Sequence, residues 1–314
     1  HNTKNDLNRK VAATAEAAWK AFRGDPPNAI YNQSAVHLLN SLGVTVRPTL
    51  GWTETVIAQA IGYATSDEFE DWIRLKNPDD RQKRLGDSVR RFIPSEATGG
   101  LIFPIRATPD VIEGFQVCFQ LRQKWRSITS KFPYVGDSCG GLIGHPDILN
   151  GSEPVIVFED YRLAARCQFN WLVNHTKPCP ILAVVDEPDS AVSDNLQMLS
   201  GREVLFWSPR LSPGILRRAA TLGAKVSSLG SNCQDLRDWI SKQDIDHLLQ
   251  RLNKTAAGWA TTLAHEVVKL PPQEAMNRIS VARLSSSEIQ QVASKLDTET
   301  SESLLKQLQP SWPY

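Results

Sequence analysis

No stretch of this sequence approaches the run of about 18 apolar residues that a membrane-spanning helix needs, which argues against a helical membrane protein. Cysteine is scarce. Cys118, Cys139, Cys167, Cys179 and Cys233 are scattered, without a Cys-x-x-Cys pair and without zinc-ligand spacing to any histidine. An odd, dispersed set of this kind excludes a disulfide scaffold and reads as reduced thiols in a cytoplasmic protein. Net charge is almost absent: 35 Lys and Arg stand against 34 Asp and Glu, for a balance of +1. Bulk charge therefore cannot drive nucleic-acid binding, and any such contact must come from a local patch. There is no phosphate-binding G-x-x-x-x-G-K-[ST] loop, so the chain carries no ATPase motor of its own. The six histidines are dispersed and pair with no serine or cysteine in a nucleophile arrangement. No repeat, low-complexity tract or signal peptide occurs. The first residue is His1 rather than Met, and the sequence reads as a fragment ending in a cut linker at Pro310 to Tyr314.

What is present is an ordinary globular composition, with 41% hydrophobic and 22% charged residues over 314 positions, enough for two or three compact units. Nine tryptophans are many for this length, and most should anchor cores. Residues 1–95 read as a helical segment. Lys10 to Phe22 has helical apolar spacing and stops near Gly24; Ser34 caps a helix ending at Gly43. Further helices are expected over Thr53 to Tyr63 and from Ser66 through Trp72 to Leu75. Asn77 to Arg91 is a charged connector.

The texture changes at about residue 96, and residues 96–150 read as a small mixed lobe. Leu101 to Arg106 is an apolar strand, Gly114 to Arg122 alternates through Phe115, Val117 and Phe119, and Trp125 to Tyr134 extends the sheet. Gly140, Gly141 and Gly151 read as turn glycines. In residues 151–242, buried-type strands at Val155 to Glu159, Ile181 to Asp186, Glu203 to Trp207 and Lys225 to Leu229 alternate with helices at Tyr161 to Val173, Asp189 to Leu199 and Pro213 to Leu222. Continuous apolar strands separated by helices predict an α/β unit with a parallel sheet and helices on both faces. Residues 243–314 return to helix, with a start at Ser285 to Glu288 and a last helix over Ser301 to Leu308.

In parallel α/β sheets, functional groups collect at the carboxyl ends of the strands. Here those ends carry Glu159-Asp160, Asp186-Glu187 and Ser208-Pro209-Arg210. This order and spacing resemble the TOPRIM domain of primases and topoisomerases. Val155 to Glu159 is similar to the family's glutamate strand, Glu203 to Arg210 to its Asp-x-Asp strand, and Arg217 to Val226 to the helix, Leu-Gly-Ala step and strand that follow. Gln234 to Ile240 is similar to the D-x-x-D-W-I ending of phage and plasmid primase–helicase proteins. Upstream, Gly99 to Arg106, Gly114 to Arg122 and Lys131 to Tyr134 resemble strands of the bacterial primase catalytic core. The resemblance spans about residues 96–242.

The departures matter as much. Ser208 and Arg210 stand where the family has its two magnesium-binding aspartates, and Asp160 stands where it has glycine. Magnesium takes hard oxygen ligands, and an arginine keeps its proton and inverts the local charge. The usual two-metal centre should not assemble. Arg210 could instead hold a phosphate directly by paired hydrogen bonds.

Glu159 is then either a surviving catalytic base and metal ligand or a structural strand-end carboxylate. Asp186 and Asp189 either complete a relocated Mg²⁺ site beside it or simply precede a helix. Arg106, Arg122, Lys124, Arg126 and Lys131 on one side, with Arg202, Arg210, Arg217 and Arg218 on the other, form a candidate basic face for a nucleic-acid backbone; the plainer reading is a solvated surface. Trp125, Trp171 and Trp207 could stack on bases; the plainer reading is that they are packing residues.

The resemblance implies a primase-like module of a phage, plasmid or mobile-element DNA replication protein. It would bind single-stranded DNA or a primer-template and scaffold a linked helicase or polymerase, without a cofactor and without primer synthesis. Two alternatives stay open. One is an active Mg²⁺-dependent primase or nuclease using Glu159, Asp186 and Asp189, and the other is a protein-interaction platform.

Overall fold

The computed structural model describes residues 15–24, 32–43, 60–74, 93–131, 141–172, 175, 177–185, 194–207, 213–227, 247, 250, 257–282 and 284–308. The chain forms two compact units, and neither is one continuous stretch. The first comprises His1–Gly151 and Asp160–Met198, the second Ser152–Glu159 and Leu199–Tyr314.

The first unit is built on an antiparallel sheet. β2 (Gly100–Thr108), β3 (Val111–Leu121) and β4 (Lys124–Lys131) run as consecutive hairpins. The short β1 (Gly62–Ala64) pairs with the start of β2, and β5 (Gly141–Gly144) with β2 at Arg106↔Leu142. β7 (Ile181–Val185) continues the sheet on β5. β2 is buried along most of its length and β3 through its middle, so both faces must be covered. One face packs on helix α1 (residues 15–23) and α3 (Ser66–Arg74). There Trp19, Phe22 and Phe69 meet Ile102, Phe115, Val117 and Phe119 in one apolar cluster, and Phe22 stacks on Phe69 at 5.6 Å between ring centroids. The opposite face carries Phe103, Gln116 and Cys118 and meets α5 (Tyr161–Leu172), whose Tyr161 ring lies 5.3 Å from Phe103. The expected alternation of β3 is thus replaced by burial on both sides. The described helices of this unit also include α2 (Gln33–Ser41) and the single turn α4 (Pro146–Leu149), and a 3-10 helix spans Asp194–Leu199.

The second unit contains the parallel strands. β6 (Val155–Phe158) pairs with β8 (Val204–Trp207), and β8 with β9 (Lys225–Ser227), all in parallel. A two-residue β10 (Ala257–Gly258) closes antiparallel on β9. Helix α6 (Pro213–Leu222) packs on β8 and buries Ile215, Leu216 and Ala219. Against α6 lie α7 (Trp259–Val267) and α8 (Pro272–Ala282), followed by α9 (Ser286–Ala293) and α10 (Thr298–Leu308).

Several sequence expectations change. Residues 62–64 are strand rather than the end of a helix. At Gly62 an added Cβ would stand 2.9 Å from that of Phe22, so the bare backbone lets α1 press against β1. Gly141 is a strand residue, not a turn: its missing Cβ leaves room for the Arg106 carbonyl, 2.7 Å from where that atom would be. With β5 in place, Ile181–Val185 gains an antiparallel neighbour, which the parallel-block reading did not foresee. α2 starts earlier than Ser34 predicts, because Asn32 Oδ1 accepts the Ser34 and Ala35 N–H groups. The last helix also begins earlier, capped by Asp297, whose carboxylate takes the Thr300 N–H at 2.9 Å. Of the segment 189–199, the described part is a 3-10 helix. The Ser285–Glu288 start is borne out as a reciprocal capping box. The charged connector over 77–91, the D-x-x-D-W-I segment and Lys131 to Tyr134 beyond β4 lie outside the described residues.

Candidate nucleic-acid interface

The β3–β4 hairpin gathers the exposed part of the predicted basic set. The strands pair without a register shift from Gly114↔Lys131 to Leu121↔Lys124. A two-residue loop follows, and Arg122 and Gln123 both take left-handed backbone angles, φ 49° and 62°. That is the geometry of a type I′ turn, whose twist suits the strands but which ordinarily uses Asn and Gly. Arg122, Lys124 and Arg126 are all exposed. Lys124 and Arg126 alternate on the face of β4 that carries Ile128, which packs on the α1–α3 core, so the two cations extend that face outward from the apolar cluster. A structural reason for them exists as well. β4 ends the sheet of this unit, and charges on an edge strand discourage pairing with another chain. Lys131 lies on the same strand, but its side chain falls outside the described residues.

Behind the hairpin, the other face of β3 and β4 is polar. The Ser127 and Tyr161 hydroxyls share a hydrogen bond of 2.6 Å, and Thr129 Oγ1 donates to Gln116 Oε1 at 2.5 Å. Burial raises the Tyr161 hydroxyl far above its ordinary range and also raises the Cys118 thiol, so both stay protonated. Sequence reasoning missed this cluster. Its signal was the recurrence of polar residues at alternate positions, Gln116 and Cys118 on one strand, Ser127 and Thr129 on the next. Asp160, the departure from the family's glycine, has a local role here. Its carboxylate accepts the Arg162 N–H at 2.9 Å at the start of α5 and pairs with the Arg162 guanidinium at 3.2 Å.

Arg106 must be removed from the exposed face. It is 7% exposed, on the β2 face that meets α1, and its Nη1 donates to the Pro109 carbonyl at 2.9 Å. Burial lowers its pKa, partly offset by the charges of Glu16 and Asp110. A phosphate has no access to such a group; Arg106 instead ties the β2–β3 turn.

In the second unit, the register Phe158↔Trp207 sets the carboxyl ends of β6 and β8 level, and Glu159 follows directly. The nearby charge that acts on it is cationic. Arg218 of α6 is 8% exposed; burial lowers its pKa and the carboxylate of Glu159 works against that shift. Arg218 is therefore a buried companion of Glu159 rather than part of an open phosphate face. Arg202 stands at the other, amino end of β8 and donates from Nε to the Glu153 carbonyl at 2.9 Å. Arg217 is half-exposed on α6. The predicted group of four arginines is thus not a single patch. Arg210, Ser208, Asp186 and Asp189 lie outside the described residues. Among the described residues, no group of three His, Cys, Asp or Glu side chains is placed to hold a metal ion. Trp125 is half-exposed, whereas Trp171 and Trp207 are buried and serve as packing residues, not base-stacking platforms.

No family model and no curated protein sequence matches the chain. Solved structures do. A DnaG primase catalytic domain bound to single-stranded DNA is similar at TM-score 0.56 and 16% identity, over 96% of both chains. The E. coli primase catalytic core gives the same values. A DNA primase domain from Pseudomonas aeruginosa gives 0.56 at 14% identity, over 94% of this chain and 99% of that one. The fold is therefore that of a bacterial primase catalytic core. The likeness extends well beyond residues 96–242 and takes in the helical segments on either side.

Proposed function

We propose that this chain is a primase-like module of a phage, plasmid or mobile-element replication protein. It binds single-stranded DNA through phosphate contacts and scaffolds a linked helicase or polymerase, without synthesising primers itself. The observation that carries this reading is the primase-core fold; the sequence resemblance, which sets Ser208 and Arg210 against the family's aspartate pair, supports the loss of primer synthesis. The fold supports nucleic-acid binding, and the inverted charge argues against a magnesium-dependent centre. Arg122, Lys124 and Arg126 supply exposed cations for the backbone, Arg217 is half-exposed, and Arg210 is the candidate for a direct phosphate contact.

The test is single-stranded DNA binding across a salt series, with and without Mg²⁺, for the wild type, Arg210→Ala and Glu159→Ala. The expected result is an affinity that falls linearly in log–log salt, drops with Arg210→Ala and ignores Mg²⁺. Primer synthesis or strand cleavage that appears with Mg²⁺ and vanishes in Glu159→Ala would instead establish an active enzyme with Glu159, Asp186 and Asp189 as its acidic centre. No binding even at low salt would leave the interaction platform as the surviving reading.

A further inference from the structure

Gln168 is a polar side chain inside an apolar neighbourhood. It lies on α5, is 7% exposed, and neither its Oε1 nor its Nε2 has a hydrogen-bond partner. Tyr161, Ala164, Ala165 and Gln168 follow the helical i, i+3, i+4, i+7 spacing, so Gln168 is carried on the face of α5 turned toward the sheet. That face borders a partly open cavity of about 30 Å³, lined on other sides by Phe103, Ile143 and His145. Two polar atoms left unbonded in such a place would cost their full desolvation, so the cavity is expected to hold something that hydrogen-bonds.

Size decides what. A cavity that takes benzene measures about 150 Å³, so neither an aromatic ring nor a nucleobase fits. A water needs roughly 10–15 Å³, and the space suits two. We propose that this cavity is a hydration site for two ordered waters, bonded to the buried Gln168 Oε1 and Nε2 and to each other. Each water then has at least the two partners that buried waters require. The His145 ring contributes to the wall in a fixed orientation: its Nδ1 accepts the Asp147 N–H at 3.2 Å, which places the proton of the neutral ring on Nε2. The waters would seat α5 on the sheet, on the same helix whose Tyr161 bonds to Ser127.

The experiment is water-oxygen magnetic relaxation dispersion on the whole chain, wild type against Gln168→Leu and Gln168→Met, with circular dichroism as the check on folding. Two long-lived waters present in the wild type and lost in both folded variants is the expected result. A long-lived count unchanged by both substitutions would overturn the proposal. Xenon binding to the wild-type cavity under pressure would also overturn it, since that marks a dry apolar void. If both variants unfold, the wild type decides alone: a crystal structure must show two waters within hydrogen-bond reach of the Gln168 amide, and a dry or otherwise occupied cavity refutes the site.

Discussion

At the scale of single residues, the charged side chains divide by what burial leaves them. Glu159 is half-exposed and Arg218 is buried beside it, so the two substitutions are not equivalent. Glu159→Ala removes a charge that favours the ionised form of the buried Arg218 and should destabilise the fold, whereas Arg218→Met lets the half-exposed carboxylate rehydrate and should cost less. Urea denaturation of the two variants checks this order. Asp297 gives a pH-dependent case. Hydrogen bonds from the Thr300 N–H and hydroxyl hold its carboxyl below the ordinary aspartate value. Its contribution is therefore complete above the unfolded value and is lost as pH falls through the lowered folded one. Thermal unfolding of wild type and Asp297→Ala should differ at neutral pH and converge in acid. Gly141→Ala tests close approach: with the Arg106 carbonyl 2.7 Å from the new methyl, the loss should be about 1–3 kcal/mol.

At the scale of elements, the β3–β4 turn is where the proposed DNA contact would be set against stability. Two non-glycine residues in the left-handed region cost about 1 kcal/mol or more in all. Replacing Arg122 by Asn and Gln123 by Gly should raise the unfolding midpoint while weakening single-stranded DNA binding; a rise in both would remove Arg122 from the interface. Strands and helices with strong local signals were legible in the sequence. The apolar run at Val155–Phe158, the helix from Pro213 and the Ser285–Glu288 cap all stand where they were expected. What escaped was set by partners distant in sequence. Gly141 read as a turn, and Gly62 fell inside an expected helix, because their value lies in the backbone each one admits, not in any local propensity. Arg106 read as a surface cation because nothing in its own segment reveals that α1 covers it. The buried pairing of Arg218 with Glu159 joins residues far apart in sequence and has no local mark at all.

At the scale of the whole molecule, a chain of net charge +1 binds a polyanion only through where its cations lie. Three exposed hairpin cations, at about −0.7 each for a single strand, predict that they contribute roughly −2 to the log–log salt slope. Replacing Arg122, Lys124 and Arg126 together by alanine should remove that share, and an unchanged slope would assign the contact to another surface. The two interleaved units also bear on how the chain is made. Residues 152–159 belong to the second unit but are synthesised before 160–198, which return to the first. On a ribosome, β6 therefore emerges well ahead of β8, its parallel partner, while β2, β3 and β4 pair with one another through adjacent sequence. A stalled or truncated chain ending near residue 198 would present an apolar strand without that partner. The natural point of vulnerability to chaperones and proteases is thus this one borrowed strand, and its exposure lasts for as long as translation takes to deliver residues 204–207.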